Sequence, residues 1–414
     1  MEKHSHPPIV IIGAGAAGMS AAISCRKRSG NVLLVERLSK PGKKVLASGG
    51  GRCNLLNVRF DADSYNREAA GLVSSVFSVF TRERVLDFLK GLGLQIYADG
   101  ERMFPVTNQA ATVVRAFELE LERLGVPVEY NFEVAAIRPS DKGLCLSDSS
   151  GKSLECSAAI VCGGGRSYPA LGSNGSCYRL AQSLGHRIVE PVPSCVALLA
   201  HDKLCHHLQG QKINASVSCV VDGNRRARAE GELIFTQYGL SGTAVLDVSA
   251  EASVALNREK KKDVRLDVDL VPFMERGALE SLLQERIDRK GSPEDLLVGI
   301  LPNKFGPAMA DLLRSRSPSK IASTLKERKF TVTGTRGWNE AEFTRGGVAA
   351  SEIEPLTLRS KLADNVYFCG EVLDVDGRRG GFNLAWAWAS GMAAGEAVAQ
   401  HNQRGGLHAL RQQS

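Results

Sequence analysis

The 414-residue chain predicts an α/β fold in which a parallel-sheet domain is interrupted by a smaller β-rich domain. Three observations predict it. A short apolar run, Pro8-Ile9-Val10-Ile11-Ile12, turns directly into Gly13-Ala14-Gly15-Ala16-Ala17-Gly18. From about Pro191, short alternating strands bounded by turn residues take over. Near the C-terminus the first texture returns, as a strand, paired glycines and a helix rich in Ala, Trp and Gly.

The opening turn has a physical reason at each glycine. Gly13 permits the tight strand-to-helix turn, Gly15 lets backbone approach a pyrophosphate, and Gly18 lets the helix pack closely on the sheet. Phosphates then sit on unpaired helix N–H groups. Val32-Leu33-Leu34-Val35 predicts the next parallel strand, and Glu36 stands at its end, where a ribose presents its hydroxyls. Gly13, Gly15, Ala16, Ala17, Gly18, Glu36 and Arg37 are the candidate dinucleotide contacts of this stretch.

The next informative segment is Pro41-Gly42-Lys43-Lys44-Val45-Leu46-Ala47-Ser48-Gly49-Gly50-Gly51-Arg52-Cys53-Asn54. Three successive glycines disfavour a stable helix or strand, so a loop against an anionic, planar ligand is expected. Lys43, Lys44 and Arg52 are placed to meet a pyrophosphate or an anionic flavin, and Ser48 and Asn54 a polar ring edge. Gly49 and Cys53 belong to the same candidate set. An amphipathic helix is expected over 112–124, ending at Gly125, followed by hairpin strands at 134–137 and 144–146, with Val134 a candidate cofactor contact. Ser157-Ala158-Ala159-Ile160-Val161 predicts a buried strand that runs into Cys162-Gly163-Gly164-Gly165, where Gly163 and Gly164 let backbone pass close to a ligand.

The second domain begins with alternating strands at 216–221 and 231–235 and continues with helices expected at 279–287, 296–301 and 308–313. Its basic runs, Arg225-Arg226-Ala227-Arg228 and Glu259-Lys260-Lys261-Lys262, lack interleaved aromatics and read as solvated loops. At the C-terminal return, the strand 365–369 leads into Gly370-Glu371 and then Asp374-Val375-Asp376-Gly377, Gly380-Gly381 and Phe382-Asn383-Leu384. The helix expected over 385–398 follows. Glu371 or Asp376 is placed to hold ribityl hydroxyls, and Gly370, Gly381, Phe382, Asn383 and Leu384 complete a helix-terminus site for a ring that carries negative charge at one edge. Trp386 and Trp388 read as packing.

Composition bounds the function. Hydrophobic residues make up 43% of the chain, and no apolar run approaches a membrane span. The short polar N-terminal tail lacks a secretory apolar stretch, so a cytoplasmic protein is expected. Ten cysteines without a C-x-x-C pair argue against a zinc ribbon or disulfide scaffold. The net charge of +7, from 52 basic and 45 acidic residues, is too modest to call nucleic-acid binding.

At these residues the chain resembles the bacterial NAD(P)/FAD-dependent oxidoreductases of the aminoacetone oxidase-like type, related to bile-acid-inducible flavoproteins. The likeness covers nearly the whole chain. It rests on the Gly13 turn, Ser48 to Asn54, Arg102-Met103-Phe104-Pro105, Ser167-Tyr168-Pro169, Phe235-Thr236 with Ser241-Gly242, Thr344-Arg345-Gly346-Gly347-Val348 and, most specifically, Gly370 to Gly391. It implies a glutathione-reductase-type, FAD-binding Rossmann-like domain (1–190 and 335–414). That domain is interrupted by a β-barrel-like domain (about 191–255 and 320–334) with a small helical insert (about 256–319). It also implies an enzyme passing a hydride between NAD(P)H or an organic substrate and a small-molecule acceptor through bound FAD. Tyr168, Arg345 and Gln237 are implied pocket residues. The chain departs from the family pattern where Gly163 replaces a threonine, Cys177 a glycine, Gln237 a histidine, Thr243 a proline and Ala385 a glutamine.

Only one dinucleotide fingerprint is visible, so either NAD(P)H binds as a transient co-substrate without a Rossmann domain of its own, or the enzyme is an oxidase passing electrons to oxygen. Cys53 has no second cysteine beside it in sequence, which argues against disulfide-relay chemistry and for packing near the ring. The alternatives are a flavin-dependent RNA-modifying protein and an oxygen-using amine oxidase. The acid or base of catalysis and the oligomeric state are not legible.

Overall fold

The computed structural model describes residues 7–28 and 30–412. Contacts divide the chain into two units, 1–191 with 344–414, and 192–343.

The first unit is built on a five-stranded parallel sheet in the order Val366–Phe368, Ala158–Val161, Ile9–Ile12, Val32–Glu36, Val128–Tyr130. Its central strands are apolar at successive positions because both faces are covered. The helix Ala16–Lys27 covers the sheet and crosses the C-terminal helix Phe382–Gln412. That crossing is unusually close: a Cβ at Gly391 would stand 2.3 Å from the Ala17 carbonyl oxygen. Small residues on both helices are therefore a steric requirement rather than a compositional accident. Trp386 and Trp388 lie fully buried, their indole N–H groups donating to the Gly370 and Leu55 carbonyls at 3.2 and 3.1 Å. Each indole thus packs with its polar atom satisfied.

Two three-stranded antiparallel sheets accompany the parallel one: Leu56–Asn57, Arg102–Pro105, Ile96–Asp99, and Val134–Ser140, Gly143–Asp148, Ser153–Cys156. Sequence reasoning omitted the first of these and the helices Ala70–Val79 and Arg82–Gly91. The helix expected over 112–124 is Ala110–Arg123, with Gly125 at φ 64° beyond its end.

The second unit is a seven-stranded antiparallel sheet over its own apolar core. The segment Arg328–Thr335 pairs with Val264–Asp269 through its first half and with Leu198–Leu199 through its second. One continuous segment therefore serves both ends of the strand order and curls the sheet into a barrel-like form. Val264–Asp269, expected inside the helical insert, is a strand of this sheet; the helices Arg276–Asp288, Phe305–Ala308, Ala310–Leu313 and Pro318–Lys326 follow it. The run expected as a helix at 296–301 is a 3₁₀ turn, Pro293–Leu297. Arg225-Arg226-Ala227-Arg228 is not a loop. It lies within the 13-residue strand Asn224–Thr236.

Candidate functional site

The first glycine turn is held by steric necessity. A Cβ at Gly18 would lie 1.8 Å from the Gly13 carbonyl oxygen, so no other residue admits this turn of helix. Gly13 in turn faces Gly163 across the sheet, its absent Cβ 2.9 Å from the Gly163 Cα. The Gly13 turn and the third glycine cluster, separate in sequence, thus form one surface. Glu36, buried at the end of its strand, accepts from Ala14 N–H at 2.7 Å and Leu38 N–H at 2.9 Å. The carboxylate is thereby fixed beside the turn while each oxygen retains capacity for a further donor. Arg37 donates to the Gly172 carbonyl at 3.0 Å, and Val134 begins its strand buried.

The basic loop folds differently from a plain coil. Lys43–Ala47 form one helical turn and Ser48–Gly51 a 3₁₀ turn, with Gly49 and Gly50 in left-handed conformation. Lys44 donates to Glu371 Oε2 and Ser167 Oγ, both at 2.6 Å, so these two predicted residues pair with one another. Glu371 also accepts from Thr344 N–H at 2.9 Å and Ser167 Oγ–H at 3.1 Å, and Thr344 Oγ1 accepts from the Arg166 and Ser167 N–H groups. Lys43 is half-buried beside it with no ion-pair partner among the described residues. Arg52 points elsewhere: it lies 4.1 Å over the Phe104 ring and donates to Asn108 and Tyr97.

Cys53 is fully buried with φ 60°, a backbone conformation uncommon outside glycine. Burial pushes its thiol up to about 11, with a Ser48 hydrogen bond acting in the other direction. An enclosed, protonated thiol is in keeping with the packing role expected of it.

The C-terminal motif is braced by its own polar atoms. Asn383 accepts from Gly377 N–H and donates to the Gly377 carbonyl, which fixes the loop before the long helix. Tyr65 O–H donates to the Phe382 carbonyl at 2.7 Å. Asn66 donates to the Asp374 carbonyl and accepts from Asp376 N–H. Asp376 is buried, with its Oδ2 3.9 Å from Arg345 Nη1, and Arg345 Nη2 stands 3.9 Å from Glu68 Oε2. Leu384 packs against the core, and Gly370 N–H donates to Ser390 Oγ. Sequence reasoning omitted Ser167, Thr344 and Asn66 from the candidate set; the first two sit inside motifs that carried the resemblance, whereas Asn66 has no sequence signal. Tyr168 adopts φ 52° ahead of Pro169, and Gln237 is exposed at the turn after the strand Asn224–Thr236.

These residues fit a dinucleotide cofactor. The helices starting at Ala16 and Phe382 have no acidic residue in their first turns, and Gly15 provides no side-chain cap, so N–H donors there await an anion. A Cβ at Gly15, Gly50 or Gly51 would meet nothing within 4 Å, which leaves room against the backbone. Asn54 Oδ1 is buried without a donor, an acceptor beside the second helix start. No group of metal-ligating side chains occurs among the described residues.

Residues 7–397 match the family described as the HI0933-like protein Rossmann domain. Over 407 residues the chain is 34% identical to the 3-dehydro-bile acid delta(4,6)-reductase of Clostridium scindens, spanning 95% of this chain and 99% of that one. It is 29% identical over 401 residues to the ribosomal RNA dihydrouridine synthase of Escherichia coli, spanning 94% and 96%. The corresponding protein of Haemophilus influenzae is 27% identical over 412 residues, spanning 94% and 98%. Among solved structures, an open flavocytochrome c3 fumarate reductase superposes with a TM-score of 0.52 at 16% identity, over 97% of this chain and 79% of that one. The 3-ketosteroid delta1-dehydrogenase of Sterolibacterium denitrificans gives 0.51 at 12%, over 96% and 100%. At such identities these two likenesses concern the fold alone.

Proposed function

The chain belongs to the HI0933-like family of FAD-dependent Rossmann proteins, and from that premise we propose that it reduces carbon–carbon double bonds conjugated to a carbonyl. The observation that carries the reading is a shared chemistry. A 3-dehydro-bile acid unsaturated at positions 4 and 6 is a conjugated ketone, and the uridine 5,6 bond is conjugated to the C4 carbonyl. Two relatives that each span more than nine-tenths of this chain are named for saturating such bonds. FAD, when bound, supplies the two-electron chemistry, with NADPH or NADH as the electron source.

The chain's own residues have defined tasks in this reading. Glu36, already oriented by two backbone N–H groups, accepts the ribose hydroxyls. The start of the helix Phe382–Gln412, with no acidic residue in its first turn, favours negative charge at the ring edge. Arg345, between Asp376 and Glu68, is the cation this reading assigns to the charge that develops on the acceptor's carbonyl oxygen. The Lys44–Glu371–Ser167–Thr344 cluster keeps the loop, the two strand ends and the helix start in register.

The acceptor in the first reading is a small molecule. A base within RNA is the second reading, favoured by the two dihydrouridine synthases among the relatives. The test is anaerobic reduction of the FAD-loaded protein with NADPH or NADH, followed by mixing with a conjugated ketone and, separately, with RNA. Return of the oxidised flavin spectrum together with a product two hydrogens heavier supports the reading. Reoxidation by oxygen alone, with every conjugated acceptor left untouched, overturns it in favour of an oxidase.

A further inference from the structure

The second unit carries a groove that the reading above leaves unused. Its central strand, Lys212–Val221, sends Val217, Cys219 and Val221 into the core, and Ser216, Ser218 and Val220 line the opposite face, with Ser216 and Val220 themselves buried at the groove floor. Short side chains on this strand, flanked by long ones on both neighbours, make a channel of about 370 Å³. Arg225 and Arg228 form one wall, while Arg265, Asp267, Asp269 and Lys326 line the other.

Regular alternation would put Arg226 and Arg228 on one face and Arg225 on the other. The register shifts between Cys219 and Val220, so that Val220 pairs with Arg225, Cys219 with Ala227 and Ser218 with Arg228. Arg226 is the extra residue of this bulge and turns to Glu259 at 2.8 Å. Arg225 and Arg228, three apart, consequently share the groove. A bulge that re-aims side chains is a recurrent device at binding sites.

The charges are not balanced across the channel. Asp267 takes Arg265 at 2.9 Å, Asp269 takes Lys326 at 2.6 Å, and Glu327 at the rim takes Lys329 at 3.2 Å. Arg228 donates only its Nε to Ser216 Oγ, at 3.0 Å, and Arg225 has no partner among the described residues. Two guanidinium forks with free donors match phosphate oxygens bidentately. Opposite them, the paired carboxylates keep acceptor capacity suited to a ribose 2′-hydroxyl, the group that separates RNA from DNA.

We propose that this groove binds the phosphodiester backbone of a single RNA strand. The proposal rests on the RNA form of the reading above for its ligand, and on the groove alone for its site. The full-length protein is titrated into a fluorescein-labelled, uridine-rich RNA oligonucleotide and into DNA of the same sequence, across a salt series. RNA is expected to bind more tightly than DNA. The R225Q/R228Q variant is expected to lower the magnitude of the log K against log salt slope by about 1.4, two contacts at about 0.7 each, which is about 25-fold in affinity for each decade of salt. A control, R289Q/R314Q, removes the same charge from exposed helices and is expected to leave the slope unchanged. An unchanged slope in R225Q/R228Q, a loss matched by the control, or no RNA binding by the wild type overturns the groove. Reduction of a free conjugated ketone by the same preparations reports on the other reading separately: its loss with RNA binding intact sinks that reading and leaves the groove standing.

Discussion

Gly163 and Cys177 are the two departures from the family pattern that the structure explains together. A Cβ on Gly163 would lie 2.4 Å from Cys177 Sγ, so the sulfur occupies the space a threonine at 163 would take. Gly163 has no positive φ, and a threonine is therefore excluded by volume alone. Gly163→Thr is expected to cost about 2 kcal/mol by overpacking. Cys177→Gly empties a buried site in the helix Ser176–Ser183 and adds a helical glycine, for a similar cost of about 2 kcal/mol. Independent sites would then lose about 4 kcal/mol in the double variant. Compensation predicts about 1 kcal/mol, the residue of the helical glycine. Urea unfolding of the FAD-free wild type, both single variants and the double variant measures the coupling directly. A double variant as unstable as the sum of the singles would refute the exchange.

Glu36→Gln leaves one of two buried backbone N–H groups facing an amide NH₂, and is expected to lower FAD affinity at least tenfold, read by flavin fluorescence on titration. Glu371→Gln weakens the bond to Lys44 and loosens the cluster with Ser167 and Thr344; a loss of about 1–2 kcal/mol is expected in thermal unfolding, and none of it should depend on added FAD. Burial pushes the thiols of Cys53 and Cys177 up to about 11, and those of Cys25, Cys156, Cys205 and Cys219 up to about 12. The folded protein therefore holds protons that the unfolded chain releases above about pH 9. Stability should fall as pH rises above about 9, and Cys25→Ala should make the slope of urea-derived stability against pH shallower.

The parallel sheet was legible because its strands are uninterrupted apolar runs ending in glycine, a pattern that only a sheet covered on both faces and open to a ligand at its ends requires. The place of Glu36 at the end of the strand Val32–Glu36 follows from the same local pattern. The partnership of Lys44 with Glu371 was not legible: the residues are 327 positions apart, and each looked separately suited to an anion or a hydroxyl. Arg52 is held by Phe104, Tyr97 and Asn108 through stacking and hydrogen bonding that no local pattern announces. Arg225-Arg226-Ala227-Arg228 looked like a loop because charged residues mark solvent. Strand pairing with Ser218 to Val220 overrides that preference, and the bulge then decides which arginines meet. The helix Thr243–Ser253 escaped notice because a short apolar run carries no clear period.

The most direct measurement is the absorption spectrum of the FAD-reconstituted protein, recorded anaerobically before NADPH or NADH, after it, and again after a conjugated ketone or RNA is added. A flavin spectrum that bleaches and then returns with the acceptor, in stoichiometric step with its saturation, is the expected result. A protein that takes up no FAD, or a reduced flavin that only oxygen restores, would contradict the proposed reductase.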